Sequence, residues 1–221
     1  MSWIISTRQY IPAVIGEAFG GGYFAGYISH TADGNPTHAL IVAPRATGAT
    51  GSGYTLLTTD LQWKTSNTTT TGTTSTFDGA ANTAAMVAAG IADHPAAQFC
   101  VTRTIGGYND WYLPSLLELN IAYQNLKPST EENATNTGIN DYSVPRRYSN
   151  FTVSSPSQTS LTVFRSPFGS ERFEADLHWS STESGSTNSY GLDFKYAVLY
   201  GIGKTNSRRV RAFRKIALPQ L

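Results

Sequence analysis

Oxygen donors crowd one stretch of this chain: Asn109 and Asp110 adjoin, and Glu118 follows shortly after. Calcium takes six to eight oxygen ligands, carboxylates prominent among them, so a calcium loop is one chemistry these residues could do. The same residues have a structural use. Gly106 and Gly107 permit positive φ, and Asn or Asp can close an Asx-type turn. Because Trp111 and Leu113 follow as apolar anchors and Pro114 then opens a helix, the turn is the preferred reading and no metal is expected. A second cluster, His178-Trp179-Ser180-Ser181-Thr182-Glu183, places hydroxyls between an imidazole and a carboxylate. A serine nucleophile needs an oriented base; there is no G-x-S-x-G elbow, and His178 is too near in sequence to serve. Trp179 and Ser181 are instead assigned to core and hydrogen-bonding positions. Neither catalytic residues nor a cofactor are assigned.

The remaining reactive side chains are scattered. His30, His38, His94 and His178 lack metal-ligand spacing and have no cysteine partners, so they are read as turn or surface residues. Cys100 is the only cysteine, which rules out an intrachain disulfide; in the apolar run 98–101 it is expected to act as a small hydrophobe. Glu131 and Glu132 are simply adjacent in a polar stretch.

Charged residues make up 14% of the 221, against the usual quarter or so, while the net charge is only +1. Such a balance gives no electrostatic footprint for nucleic acid. Arg208, Arg209, Arg211, Arg214 and Lys215 form a local basic cluster. Alternation sets Arg209 and Arg211 opposite Val210 and Ala212, and structural ion pairing is the expected role. Residues 1–8 lack a basic segment followed by a long apolar one, so they are not read as a secretory signal. No stretch reaches the apolar length that a bilayer demands, and membrane insertion is not expected.

The elements that must position these residues follow from pattern and punctuation. Residues 1–19 read as an attachment arm, and 20–221 as one domain with an inserted loop region at about 128–175. Strands at 23–28 and 38–43 flank Asp33-Gly34-Asn35-Pro36, a hairpin signal. The Thr/Ser-rich segment 65–77 reads as an exposed loop. An alanine-rich helix spans 80–89 and stops at Gly90, and a buried strand is expected at 99–102. Ser115 and Glu118 form a capping box for a second helix ending at Leu126, with Leu116, Leu119, Tyr123 and Leu126 as its core stripe. A short strand is expected at 160–165, and four more at 177–181, 189–194, 197–201 and 207–213. Helices early and antiparallel strands late predict an α+β protein, two helices packed on antiparallel sheets with long loop insertions.

Three separated blocks carry a resemblance: 106–115, with Asp110, Trp111, Leu113 and Pro114; 178–183, with Trp179, Ser180 and Ser181; and 210–214, with Arg211. Together they resemble the C-type-lectin-like domains of the Lcl C-terminal type, in which a G-x-x-D-W-x-L-P-[ST] turn, a W-S-S-[ST] strand and a V-R-x-[VF]-R strand recur. The resemblance implies a C-type-lectin-like fold of the kind found in bacterial surface proteins and bacteriophage tail proteins. Calcium-dependent sugar binding is not implied, since the Glu-Pro-Asn or Gln-Pro-Asp triplet is missing and Asn109-Asp110 precedes the tryptophan. Nor is the chemistry of the formylglycine-generating oxidases, which share the broader fold but use a pair of active-site cysteines.

What is left to act is surface. Tyr148 and Asn150, Asn188 and Tyr190, and Tyr196 and Tyr200 mix tyrosine with small polar residues, as binding loops do, because tyrosine brings area at little rotamer cost. The expected protein is a non-catalytic phage tail-tip or tail-fibre component, made in the host cytoplasm and carried on the virion, that meets a host-cell glycan or protein receptor. Other tail proteins and further copies of the chain are expected partners. The alternatives are a virion or baseplate assembly protein, and a bacterial adhesin or diversified target-binding protein.

Overall fold

The structure, a computed structural model, describes residues 10, 12–51 and 57–219. In chain order its elements are β1 (Ala18–Phe19), β2 (Gly22–Ile28), β3 (His38–Val42), α1 (Arg45–Gly48), β4 (Leu61–Gln62), α2 (Gly79–Gly90), α3 (Pro95–Val101), α4 (Leu116–Leu126), β5 (Ser143–Val144), β6 (Leu177–Glu183), β7 (Asn188–Asp193), β8 (Leu199–Gly203), β9 (Ser207–Arg208) and β10 (Phe213–Ala217). This is an α+β arrangement of antiparallel sheets and helices.

The β2–β3 hairpin forms as its turn residues dictate: the Asp33 carboxylate accepts from Ser29 Oγ at 3.0 Å and from the Asn35 amide at 2.9 Å. β10 returns from the far end of the chain to pair with β3, Phe213 opposite Val42, and the main sheet runs β1-β2-β3-β10 with β5 also on β2. Alternation then feeds two cores. Ala39 and Ile41 of β3 join Trp63, Met86, Phe99, Trp111 and Trp179 on one side, while Leu40 and Val42 join Leu119, Tyr123, Phe173 and Phe194 on the other. Gly26 sits at a bulge in β2 with φ +136°. A Cβ there would lie 2.6 Å from Asn125 Nδ2 and 2.8 Å from Ile121, so glycine is what lets α4 close on the sheet.

α4 carries both halves of the predicted capping box: Ser115 N–H donates to Glu118 Oε2 at 2.7 Å and Glu118 N–H to Ser115 Oγ at 3.4 Å. Its buried face is Leu119, Ile121, Ala122, Tyr123 and Leu126, whereas Leu116 is only half-buried and drops out of the stripe. α2 begins at an Asp78 cap and ends where Gly90 takes φ +113°.

Five expectations need correction. The strand expected at 99–102 is the end of α3, which Pro95 opens; a short apolar run fits either element, and here the helical turn buries Phe99 and Cys100. With α1 and α3 the described residues hold four α-helices instead of two. The strand expected at 160–165 is a single 3₁₀ turn, Thr162–Phe164, that drops Phe164 into the second core. The strand expected at 197–201 starts later, at Leu199, because Ala197 turns the chain at φ +61°. The one expected at 207–213 is two strands, β9 on β4 and β10 on β3, with isolated bridges between them.

Residues 1–9 and 11 of the expected arm lie outside the described residues. Its later part already belongs to the sheet, since Ala18 and Phe19 pair with Tyr23 and Gly22. Among the described residues no helix is long and apolar enough to cross a membrane.

Candidate functional site

The three sequence blocks meet. Gly106 (φ +60°) and Gly107 (φ +84°) form a two-residue turn that Ile105 and Tyr108 close with reciprocal main-chain bonds of 2.9 and 3.0 Å. Beyond it, Tyr112 exchanges two main-chain bonds with Phe213, and the exposed Asp110 carboxylate pairs with Arg214, whose guanidinium lies 3.7 Å from the Tyr108 ring centroid. Asp110 thus serves the closing strand in place of the expected Asx contact. The second block joins the first through Ser181 N–H to Pro114 O (2.7 Å), and it meets the residue just before the third through Trp179 N–H to Arg209 O (2.9 Å). Trp111, Leu113, Trp179, Val210 and Ala212 fall in one core.

Most polar atoms inside this framework are matched, although His178 Nε2 is buried without a partner. Trp179 Nε1 donates to Leu61 O (2.8 Å) and Trp63 Nε1 returns a bond to Ser180 O (2.9 Å), a reciprocal clasp between β6 and β4 with its flank. Ser180 Oγ donates to Tyr190 O, and Ser181 Oγ accepts from Asn82 Nδ2. Arg211 is 1% exposed; its Nε donates to Ala43 O at 2.7 Å and its guanidinium reaches Glu171 at 3.4 Å. Arg209 pairs with Asp176 and Lys215 with Asp78, so with Arg211 and Arg214 four of the five basic residues are held in structural ion pairs.

Sequence reasoning passed over a buried ion pair. Lys204 and Glu183 meet at 2.6 Å, and the same ammonium donates to Thr68 O and Ser186 O, each at 2.9 Å. Glu183 also accepts from the Thr70 amide (3.0 Å) and the Thr73 hydroxyl (2.7 Å). Thr70 and Thr73 are therefore buried, which corrects the expectation of an exposed 65–77 loop; residues 65–69 do stay at the surface. Two histidines are core residues too, contrary to the turn-or-surface reading. His94 bridges Thr70 Oγ1 and Gly90 O, each at 2.9 Å, and His178 lies fully buried with burial driving its pKa down to about 3. The His30 ring packs tilted against His38, centroids 4.4 Å apart, and burial, then the neighbouring imidazole, holds His38 at about 4. Cys100 is buried, its thiol shifted upward by desolvation, as a small hydrophobe would be. Among the described residues no group of three or more His, Cys, Asp or Glu is placed to hold a metal ion.

The candidate binding residues divide. Tyr148 is 71% exposed, with the Arg146 guanidinium 5.0 Å from its ring, and Asn150 is exposed beside it. The segment 134–137 ties their loop to the turn before β8: Phe151 N–H donates to Thr137 O (2.6 Å), Thr137 Oγ1 to Ala197 O (2.8 Å) and Ala134 N–H to Tyr196 O (2.7 Å). Tyr196 (37% exposed) therefore neighbours that loop, and Tyr200 (45%) follows on β8. Asn188 and Tyr190 are half-buried on β7. The register sets Tyr190 opposite Gly201 and Gly191 opposite Tyr200, which points Tyr190 and Tyr200 to opposite faces of the sheet. Tyr148 and Asn150 thus lie on a loop tied through 134–137 to the turn that carries Tyr196. Arg147, beside Tyr148 in sequence, is turned inward: its guanidinium bonds Gln124, Asn120 and Gly138 and lies over Phe151.

Fold and site together define the class as an α+β domain with a hydrogen-bonded double core and aromatic loops at its surface. Compared with known proteins, the chain matches no protein-family model and no curated protein.

Proposed function

We propose that the protein is a non-catalytic recognition module of the C-type-lectin-like kind, a bacteriophage tail-tip or tail-fibre component that presents its loops to a host-cell receptor. The observation that carries this reading is the exposure of Tyr148 and Tyr196, on loops tied to one another through the segment 134–137, and of Tyr200 on β8. Rigid aromatic area beside small polar groups binds without a large ordering cost. The three knitted blocks support the lectin-like reading because they are the segments in which the resemblance lies.

Saturable attachment of the purified chain to cells within a panel of bacterial strains tests the proposal. Attachment to none of them, with no loss of folded protein, would count against it. A second reading, virion assembly, draws on Phe168, which is 93% exposed, and on Val163 beside it at 43%. Exposed apolar residues of this size suit contact with another protein. Capture by purified tail proteins without cell attachment would favour assembly.

A further inference from the structure

A groove of about 560 Å³ runs between the last turn of α4 and the segment 155–161, with Val14 and Ile15 along its other side. Its size is in the usual range of ligand clefts, roughly 300–1,000 Å³. Both walls are fixed. α4 is buried along its core stripe, and 155–161 is held by Thr159 N–H to Lys127 O (3.0 Å), Asn133 Nδ2 to Pro156 O (2.9 Å) and Arg165 Nε to Thr159 O (2.7 Å).

Three amides line the groove, and each has one end anchored away from it. Asn125 Nδ2 donates to Ala25 O at 2.7 Å, and Gln158 Nε2 donates to Pro128 O at 2.7 Å. Gln124 Oε1 accepts from Arg147 Nη1 at 2.6 Å. A carbonyl partner must face an amide NH₂, and a guanidinium must face an amide oxygen, so the chemistry sets the sense of each side chain. Asn125 Oδ1 and Gln158 Oε1 are then left as acceptors and Gln124 Nε2 as a donor, none with a partner among the described residues. Ser157 and Ser160, both exposed, add hydroxyls that can donate or accept. No ionisable side chain lines the groove among the described residues, and Ile15, Pro156 and Leu161 supply an apolar strip.

We infer that this groove binds a neutral, hydroxyl-rich ligand, an oligosaccharide. The inference rests on the recognition reading and deepens it by naming a ligand class and a second place of contact apart from the tyrosines. Fixed acceptors beside a fixed donor match vicinal hydroxyls, which give and take hydrogen bonds at once. The apolar strip matches the C–H face of a sugar ring. An ionic ligand would find no counter-charge, and burying it unpaired is costly.

The test uses the full chain, immobilised neutral oligosaccharides of hexose and N-acetylhexosamine, acidic glycans and peptides as contrasts, and the bacterial strain panel. Ser157→Trp and Ser160→Trp fill the groove from exposed positions, and their melting temperatures report that the fold survives. Retention of neutral oligosaccharides that falls at least tenfold in both folded variants is the expected result. Retention unaffected by either substitution, or confined to acidic glycans or peptides, would overturn the groove assignment. Cell attachment without retention of any oligosaccharide would also overturn it while leaving the recognition reading standing. Neither cell attachment nor retention would sink both.

Discussion

Lys204 and Glu183 form an ion pair of 2.6 Å with both side chains sealed from water, at 0% and 3% exposure. The pair joins β8's end to β6's end, and through Thr68, Thr70 and Thr73 it draws a Thr-rich segment onto the core. Burial raises the Glu183 carboxyl, but the Lys204 ammonium, the Thr73 hydroxyl and the Thr70 amide outweigh it and hold the pKa below the ordinary range.

Removing one partner leaves the other charge buried and unmatched, which costs about 3–5 kcal/mol. Lys204→Met and Glu183→Gln should each lose that order of stability in urea titrations, and the double variant should cost less than the sum. In Lys204→Met, the amides of 68–73 should also exchange with solvent much faster. Additive losses, or unchanged exchange, would mean the pair does not organise this segment.

Glu118 sets one side of the pH profile. Burial pushes its carboxyl up to about 7, against the Ser115 amide and the Tyr112 hydroxyl. Between the ordinary carboxylate range and about 7 the folded protein keeps a proton that the unfolded chain has released. Its contribution is therefore complete at low pH and lost as pH rises through about 7. Glu118→Gln, with its oxygen toward Ser115 and its NH₂ toward Tyr112, should flatten the fall in melting temperature between pH 5 and 8. An identical slope in the variant would contradict the assignment.

One half-buried and one buried imidazole set the other side. His38 and His178 are held at about 4 and about 3, chiefly by burial, whereas an unfolded histidine titrates near 6.5. The unfolded chain takes up these protons first as the medium acidifies. Stability from these groups is complete above about pH 6.5 and is lost as pH falls toward 4 and then 3. His178→Phe, placed against Phe173 and Phe194, should shallow the acid limb of a melting-temperature profile. No change in that limb would place the acid sensitivity elsewhere.

Local chemistry carried much of the fold in the sequence. The capping box, the Asp33 turn and the Gly106-Gly107 turn all depend on residues a few positions apart, and each stands where its pattern put it. Partners distant in the chain were the ones that stayed hidden. Nothing near Thr70 announces that its amide will meet Glu183, and nothing near His178 announces an aromatic cage. α3 was misread because Phe99-Cys100-Val101 fits a strand or a helix; Pro95 at the first helical position was the available signal. The tyrosines were readable as surface, but Gln124 and Asn125 were taken only as the end of a helix. Their role in the groove depends on Ala25 and Arg147, which only the tertiary fold brings near.

The central claim is that an aromatic loop face, held rigid, does the recognising. Cytometric titration of fluorescently labelled protein on a strain that binds it, wild type against the Tyr148→Ala/Tyr196→Ala/Tyr200→Ala variant, tests that claim most directly. At least a tenfold weaker apparent affinity with an unchanged melting temperature is predicted, since exposed tyrosines contribute little to the fold and much to a contact. Equal affinity of the two proteins would contradict the account.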